Sequence, residues 1–125
     1  MAFRIEFFVK NIAESVRFYQ QVLNLDLLQK GEDSACFTNE GSYLLLTSFY
    51  ILDETHYFKN NGFSKMGGGM EFIITTDEIE QLYERVKQKE PHCIESDLKK
   101  QIWGMLDFRV IDPDGYYIRV SSKKQ

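Results

Sequence analysis

From Tyr116 to Val120 apolar and polar side chains alternate. Tyr116, Ile118 and Val120 point one way, Tyr117 and Arg119 the other. This period of two predicts a strand with one core face and one face carrying a charge and a phenol. The strand is entered through "DPDG", where Pro113 presets φ and Gly115 tolerates a left-handed exit. Short β-prone runs also occur at "IEFFV" (Ile5 to Val9) and "MEFII" (Met70 to Ile74). Each leads into a helical pattern. Ile12, Val16, Tyr19 and Leu23 share one face, as do Ile79, Leu82, Tyr83 and Val86. Asn11–Glu14 reads as a capping box and Asp77–Glu80 as a second. Three strand signals follow each helix, near residues 26–30, 35–38 and 43–47, then near 93–97, 105–111 and 116–121.

The chain therefore reads as two copies of a βαβββ unit, an α+β arrangement with one helix per module. "NEGSYLLLTS" and "PDGYYIRVSS" match in layout, which aligns Gly41 with Gly115 and Leu45 with Arg119. The expected organisation is one domain, with module one at 1–48, a linker at 49–69 and module two at 70–125. Neither half buries a helix and a four-stranded sheet well alone, so the two are expected to pack together. In the linker, Gly67–Gly69 reads as a flexible hinge. Its Tyr50, Tyr57, Phe58 and Phe63 are too aromatic for a plain tether. They read either as a staple onto the core or a dimer mate, or as a lid over a cavity.

Charge and composition narrow the partners. A net charge of −4 and an isoelectric point near 5.2 argue against nucleic acid or an anionic membrane. No apolar run approaches the roughly 20 residues of a membrane span, and "MAFRIEFFVKN" lacks the features of a signal peptide. A cytoplasmic protein is expected. Cys36 and Cys93 have neither CxxC spacing nor nearby His pairs and read as reduced structural cysteines. His56 and His92 read as surface loop residues, and there is no GxSxG or phosphate-loop motif.

Two βαβββ units, the helix "SVRFYQQVLNL" and the stretch "WGMLDFRVIDPDGYYI" resemble the vicinal oxygen chelate superfamily. That group comprises glyoxalase I, ring-cleaving dioxygenases, fosfomycin-resistance enzymes and bleomycin-resistance binding proteins. "WGMLDF" looks most like the bleomycin-resistance branch, in which a Trp-Gly stretch lines the ligand crevice. The resemblance implies an eight-stranded open sheet or half-barrel around a cavity. It also implies a divalent metal, held in the enzymes by His, Gln or Glu from the first and last strand of each module. Carried over residue by residue, those positions are Arg4, Glu71, Arg119 and, by the internal repeat, Leu45; a one-residue slip stays open at Glu71. Arginine offers only donors and repels a cation. One potential ligand in four makes no metal site, so neither metal nor cofactor is expected.

Strand alternation turns Arg4, Glu6 and Phe8 toward the cavity, with Glu71, Tyr117 and Arg119 from the second module. The charges either pair internally, Arg4 with Glu71 or Arg119 with Glu6, or bind a polar ligand. In the second case Phe8, Trp103 and Tyr117 form stacking walls, and Leu45 completes the set of ligand-binding candidates. The expected function is sequestration of a small, partly aromatic molecule, such as an antibiotic or metabolite, by a homodimer without chemistry. The alternatives are a lyase, isomerase or dioxygenase with an atypical or absent metal site, and a regulatory module whose cavity its own side chains fill.

Overall fold

The computed structural model describes residues 1–61 and 66–123. They form two compact units, Met1–Ser64 and Lys65–Gln125. Phe63, one of the four linker aromatics, lies outside the described residues.

The first unit runs β1 (Arg4–Val9), α1 (Ile12–Arg17), β2 (Leu27–Lys30), β3 (Ser34–Asn39), β4 (Ser42–Ser48) and α2 (Tyr57–Asn61). Its sheet has the order β1-β4-β3-β2, with β1 parallel to β4 and the other pairs antiparallel. The Asn11 side chain accepts the Glu14 N–H at 3.0 Å, which starts α1 as its capping pattern predicts. After Arg17 the helix widens into a π-helical turn, Phe18–Val22, closed by the Leu23 N–H on the Phe18 carbonyl. The wider turn buries Phe18 and Val22 together with the predicted Tyr19 and Leu23. Tyr19 is fully covered between Phe7 and Phe37, at ring separations of 6.4 and 6.0 Å. Burying each such ring contributes about 1.5–3 kcal/mol.

The second unit runs β5 (Phe72–Thr76), α3 (Ile79–Lys89), β6 (Ile94–Lys100), β7 (Leu106–Ile111) and β8 (Tyr117–Ser122). Its order, β5-β8-β7-β6 with β5 parallel to β8, repeats that of the first sheet. Phe108, Val110, Ile118 and Val120 are fully buried, and α3, which packs on β7 and β8, buries Ile79 and Val86. The fold class is thus α+β, with two βαβββ modules. The start of α3 differs from expectation: Thr76 Oγ1, not Asp77, accepts the Glu78 N–H, and Asp77 pairs with Lys123 at 3.4 Å. A threonine just before the helix can close the turn equally well.

Both modules use a left-handed residue where the repeat aligns them, with φ +83° at Gly41 and +100° at Gly115. At the second turn the buried Asp112 carboxylate accepts the Asp114 and Tyr116 N–H groups at 2.9 and 2.8 Å. This fixes where β8 starts, and with it the phase that buries Ile118 and turns Arg119 to the opposite face.

Candidate functional site

The strand registers settle the position left open at Glu71. Ile73 pairs with Arg119 as Glu6 pairs with Leu45, and Phe72 pairs with Ile118 as Ile5 pairs with Leu44. Glu71 therefore stands where Arg4 stands in the first module.

In the first unit Arg4 and Glu6 are exposed, while Phe8 and Leu45 are half-buried. Glu6 accepts a hydrogen bond from Thr47 Oγ1 at 2.5 Å. Phe8 packs edge-on against His56 and Phe58, at ring separations of 5.2 and 5.4 Å. The linker aromatics thus reach β1. His56 is not the surface residue expected from its loop position: it is half-buried, and its Nδ1 accepts the Phe58 N–H at 3.1 Å at the start of α2. His92 is exposed, as expected.

The second unit holds a charge cluster. β7 and β8 leave the Asp112–Gly115 turn in a register that sets Arg109 directly opposite Arg119. Both guanidinium groups converge on one oxygen of Glu71: Arg109 Nε donates to Oε1 at 3.0 Å, and Arg119 Nε lies 3.4 Å from the same atom. The side chains are 20%, 21% and 31% exposed for Arg109, Arg119 and Glu71, too covered for bulk water to screen them fully. Burial alone would lower the Arg109 pKa, but the hydrogen bond it donates to Glu71 and the charges of Asp107 and Glu71 together raise it.

Two atoms of this cluster lack a hydrogen-bond partner among the described residues, Asp107 Oδ2 and Arg119 Nε. Asp107 is fully buried; its Oδ1 accepts from Gln101 Nε2 at 2.8 Å, and its Oδ2 lies 3.9 Å from Arg109 Nη2. The Arg119 contact with Glu71 has the distance of an ion pair without the alignment of a hydrogen bond.

Trp103 is half-exposed in the loop before β7, its ring centroid 5.9 Å from the Arg119 guanidinium. Tyr117 donates to Glu95 Oε2 at 2.7 Å. Burial, then the Glu95 hydrogen bond and charge, push its phenol pKa up to about 12. Beside this cluster opens a cleft of about 520 Å³, lined by Met66, Met70, Glu71, Ile111 and Tyr117 and by the glycines ahead of β5.

Three of the predicted residues, Glu71, Arg119 and Trp103, thus come together, and Tyr117 shares the cleft with Glu71. Within its own unit Glu71 is partnered by Arg109 and Arg119. Sequence reasoning missed Arg109, Asp107, Gln101 and Glu95. Counting back from the Asp112–Gly115 turn would have found Arg109, because a tight turn fixes which residues face each other.

The donor set does not fit a divalent metal. Arg4 and Arg119 cannot ligate, Leu45 has no donor atom, and Glu71 is already engaged by two guanidinium groups. Among the described residues no three His, Cys, Asp or Glu side chains gather as a metal site needs.

Comparison with known proteins places this geometry in context. The model of the Glyoxalase/Bleomycin resistance protein/Dioxygenase superfamily matches residues 3–120. The metallothiol transferase FosB of Staphylococcus epidermidis is 30% identical over 91 residues, covering 73% of this chain. The match spans 61% of that relative's length. A structure of a protein of unknown function from Agrobacterium tumefaciens is similar with a TM-score of 0.79 and 25% identity, covering 99% of this chain and 95% of the other. Lactoylglutathione lyase from Agrobacterium tumefaciens shares the fold, with a TM-score of 0.70 at 17% identity over 97% and 92% of the two chains.

Proposed function

Because the chain belongs to the glyoxalase/bleomycin resistance protein/dioxygenase superfamily, we propose that it is a metal-free member that binds a small molecule without transforming it. One observation carries this reading: Arg119, at the position where the resemblance implies a metal ligand, shares Glu71 with Arg109. A cation entering there would meet two fixed positive charges and one carboxylate already engaged. What remains is a binding surface with charged groups, an aromatic wall at Trp103 and Tyr117, and an adjoining apolar cleft. Arg4, Glu6, Phe8 and Leu45 of the first module are proposed as ligand-contacting residues of their own unit.

The reading includes a cytoplasmic homodimer. No helix among the described residues is long and apolar enough to cross a membrane, and the exposed linker rings Tyr50 and Tyr57 are of the kind a second copy covers. Light scattering that returns the mass of one chain would remove the dimer from it.

Elemental analysis of tag-free protein, prepared without chelators, tests the metal. Less than a tenth of an equivalent of Zn, Ni, Mn or Fe is expected, and near-equimolar metal would overturn the reading. Trp103 is the only tryptophan, so saturable quenching by flat aromatic compounds tests the binding. The likeness to a metallothiol transferase supports a second reading, an enzyme with an atypical metal site. That enzyme would have to release Glu71 from both arginines before using it.

A further inference from the structure

We propose that Arg109 and Arg119 form a carboxylate-binding subsite in which the side chain of Glu71 is an internal stand-in for the ligand. The subsite would take small amphiphilic carboxylates, an anionic head on a flat apolar body. This rests on the small-molecule-binding reading above and adds the chemical class of the ligand.

Three observations lead there. First, the two Nε–H donors converge on a single carboxylate oxygen, 3.0 and 3.4 Å away. Guanidinium groups are suited to planar anions that offer two oxygens. Second, Glu71 fills this place imperfectly. Arg119 Nε is buried and donates no hydrogen bond among the described residues. A carboxylate that arrives free of the backbone can turn one oxygen to each arginine and satisfy that donor. Third, Glu71 is placed to leave. It stands outside the strand, one residue before β5, and its side chain is the most exposed of the three.

The surroundings specify the rest of the molecule. The cleft beside Glu71 is walled by Met66, Met70, Ile111 and Tyr117. A ligand whose head replaces the Glu71 carboxylate would lay its body along those apolar groups. The other charges do not oppose the exchange. Asp107 stays with Arg109 and Gln101, and Glu95 stays with the Tyr117 hydroxyl, so one anion replaces another against the same two cations. Trp103 lies on Arg119 and would register the change.

The test is calorimetric titration of the whole protein with naphthoate, naphthylmethanol and naphthylmethylammonium, which share a body and differ in head charge. Naphthoate is expected to bind saturably, at least about tenfold tighter than the alcohol. It should also shift the Arg109 and Arg119 Nε–H resonances of the wild-type protein. Glu71→Gln, checked for folding by circular dichroism, removes the tethered competitor. Naphthoate affinity should then rise by about tenfold, because the competent state is no longer a fraction of the population.

Equal or tighter binding of the alcohol or the ammonium compound would overturn the carboxylate subsite while leaving the binding function standing. Naphthoate binding that leaves both Nε–H signals in place would also overturn it. Failure of all three compounds to bind wild type would count against the binding function itself. If Glu71→Gln does not fold, the wild-type resonances and the three-way ranking still decide.

Discussion

Arg109 and Arg119 face each other directly across the β7–β8 ladder, a placement in which like charges repel. The pair is held because Glu71 Oε1 lies between their Nε atoms and Asp107 is buried beside Arg109. Two positive and two negative side chains thus meet in one cluster. Changing any one of them leaves the others unbalanced.

Arg119→Glu would set a third carboxylate against Glu71 and Asp107 where a cation had been. We expect a loss of about 2–4 kcal/mol, read as a lower midpoint in thermal or urea denaturation. An unchanged midpoint would mean that solvent screens the cluster, contrary to the 21% exposure of Arg119.

Tyr117 should ionise well above an ordinary phenol, at about pH 12. A phenol whose pKa is raised on folding holds its proton more tightly in the folded state. The stability this contributes is complete below about pH 10 and is lost as the pH rises through about 12. Ring-carbon NMR of labelled tyrosine follows the titration. Glu95→Gln should lower the value without restoring the ordinary one, because burial is the larger cause.

Gly67 and Gly69 both have positive φ, but only Gly67 is crowded. A Cβ there would meet Tyr116 Cδ1 at 2.6 Å, whereas one at Gly69 meets nothing within 4 Å. Gly69→Ala is expected to cost about 1 kcal/mol of backbone strain, and Gly67→Ala about 2–3 kcal/mol once the ring must move. Equal costs in chemical denaturation would show that Tyr116 yields freely.

The two cysteines should react unequally. Burial, then the charge of Glu90, push the Cys93 thiol pKa up to about 11, so little thiolate forms near pH 8. Mass spectrometry after brief iodoacetamide treatment should find the half-buried Cys36 modified and Cys93 intact until denaturant is added.

What was legible in the sequence is what local chemistry dictates. The Asn11 cap, the period of two from Tyr116 to Val120 and the turn ending at Gly115 each depend on neighbours within a few residues. All three appear as read. The repeat aligned Leu45 with Arg119 correctly because both lie on the strand that closes a module. What escaped depends on facing strands. The role of Arg109 follows from the β7–β8 register, and the burial of Asp107 from what covers that face. His56 was misplaced because loop position says nothing of the Phe8 ring that receives it. At Gly67, within the triple glycine read as a hinge, the close approach of Tyr116 is a second role that the sequence did not show.

In each unit the earliest strand is a direct partner of the latest, Arg4 with Tyr43 and Phe72 with Ile118. Neither sheet can close until roughly 40 to 50 residues separating these partners have been made. During synthesis β1 must wait with an open edge while the ribosome adds β4, a delay of a few seconds at about 5–20 residues per second. The duplication divides that exposure into two brief intervals. Because β4 precedes β5 in the chain, the partner that β1 waits for is made before the strand that waits for β8.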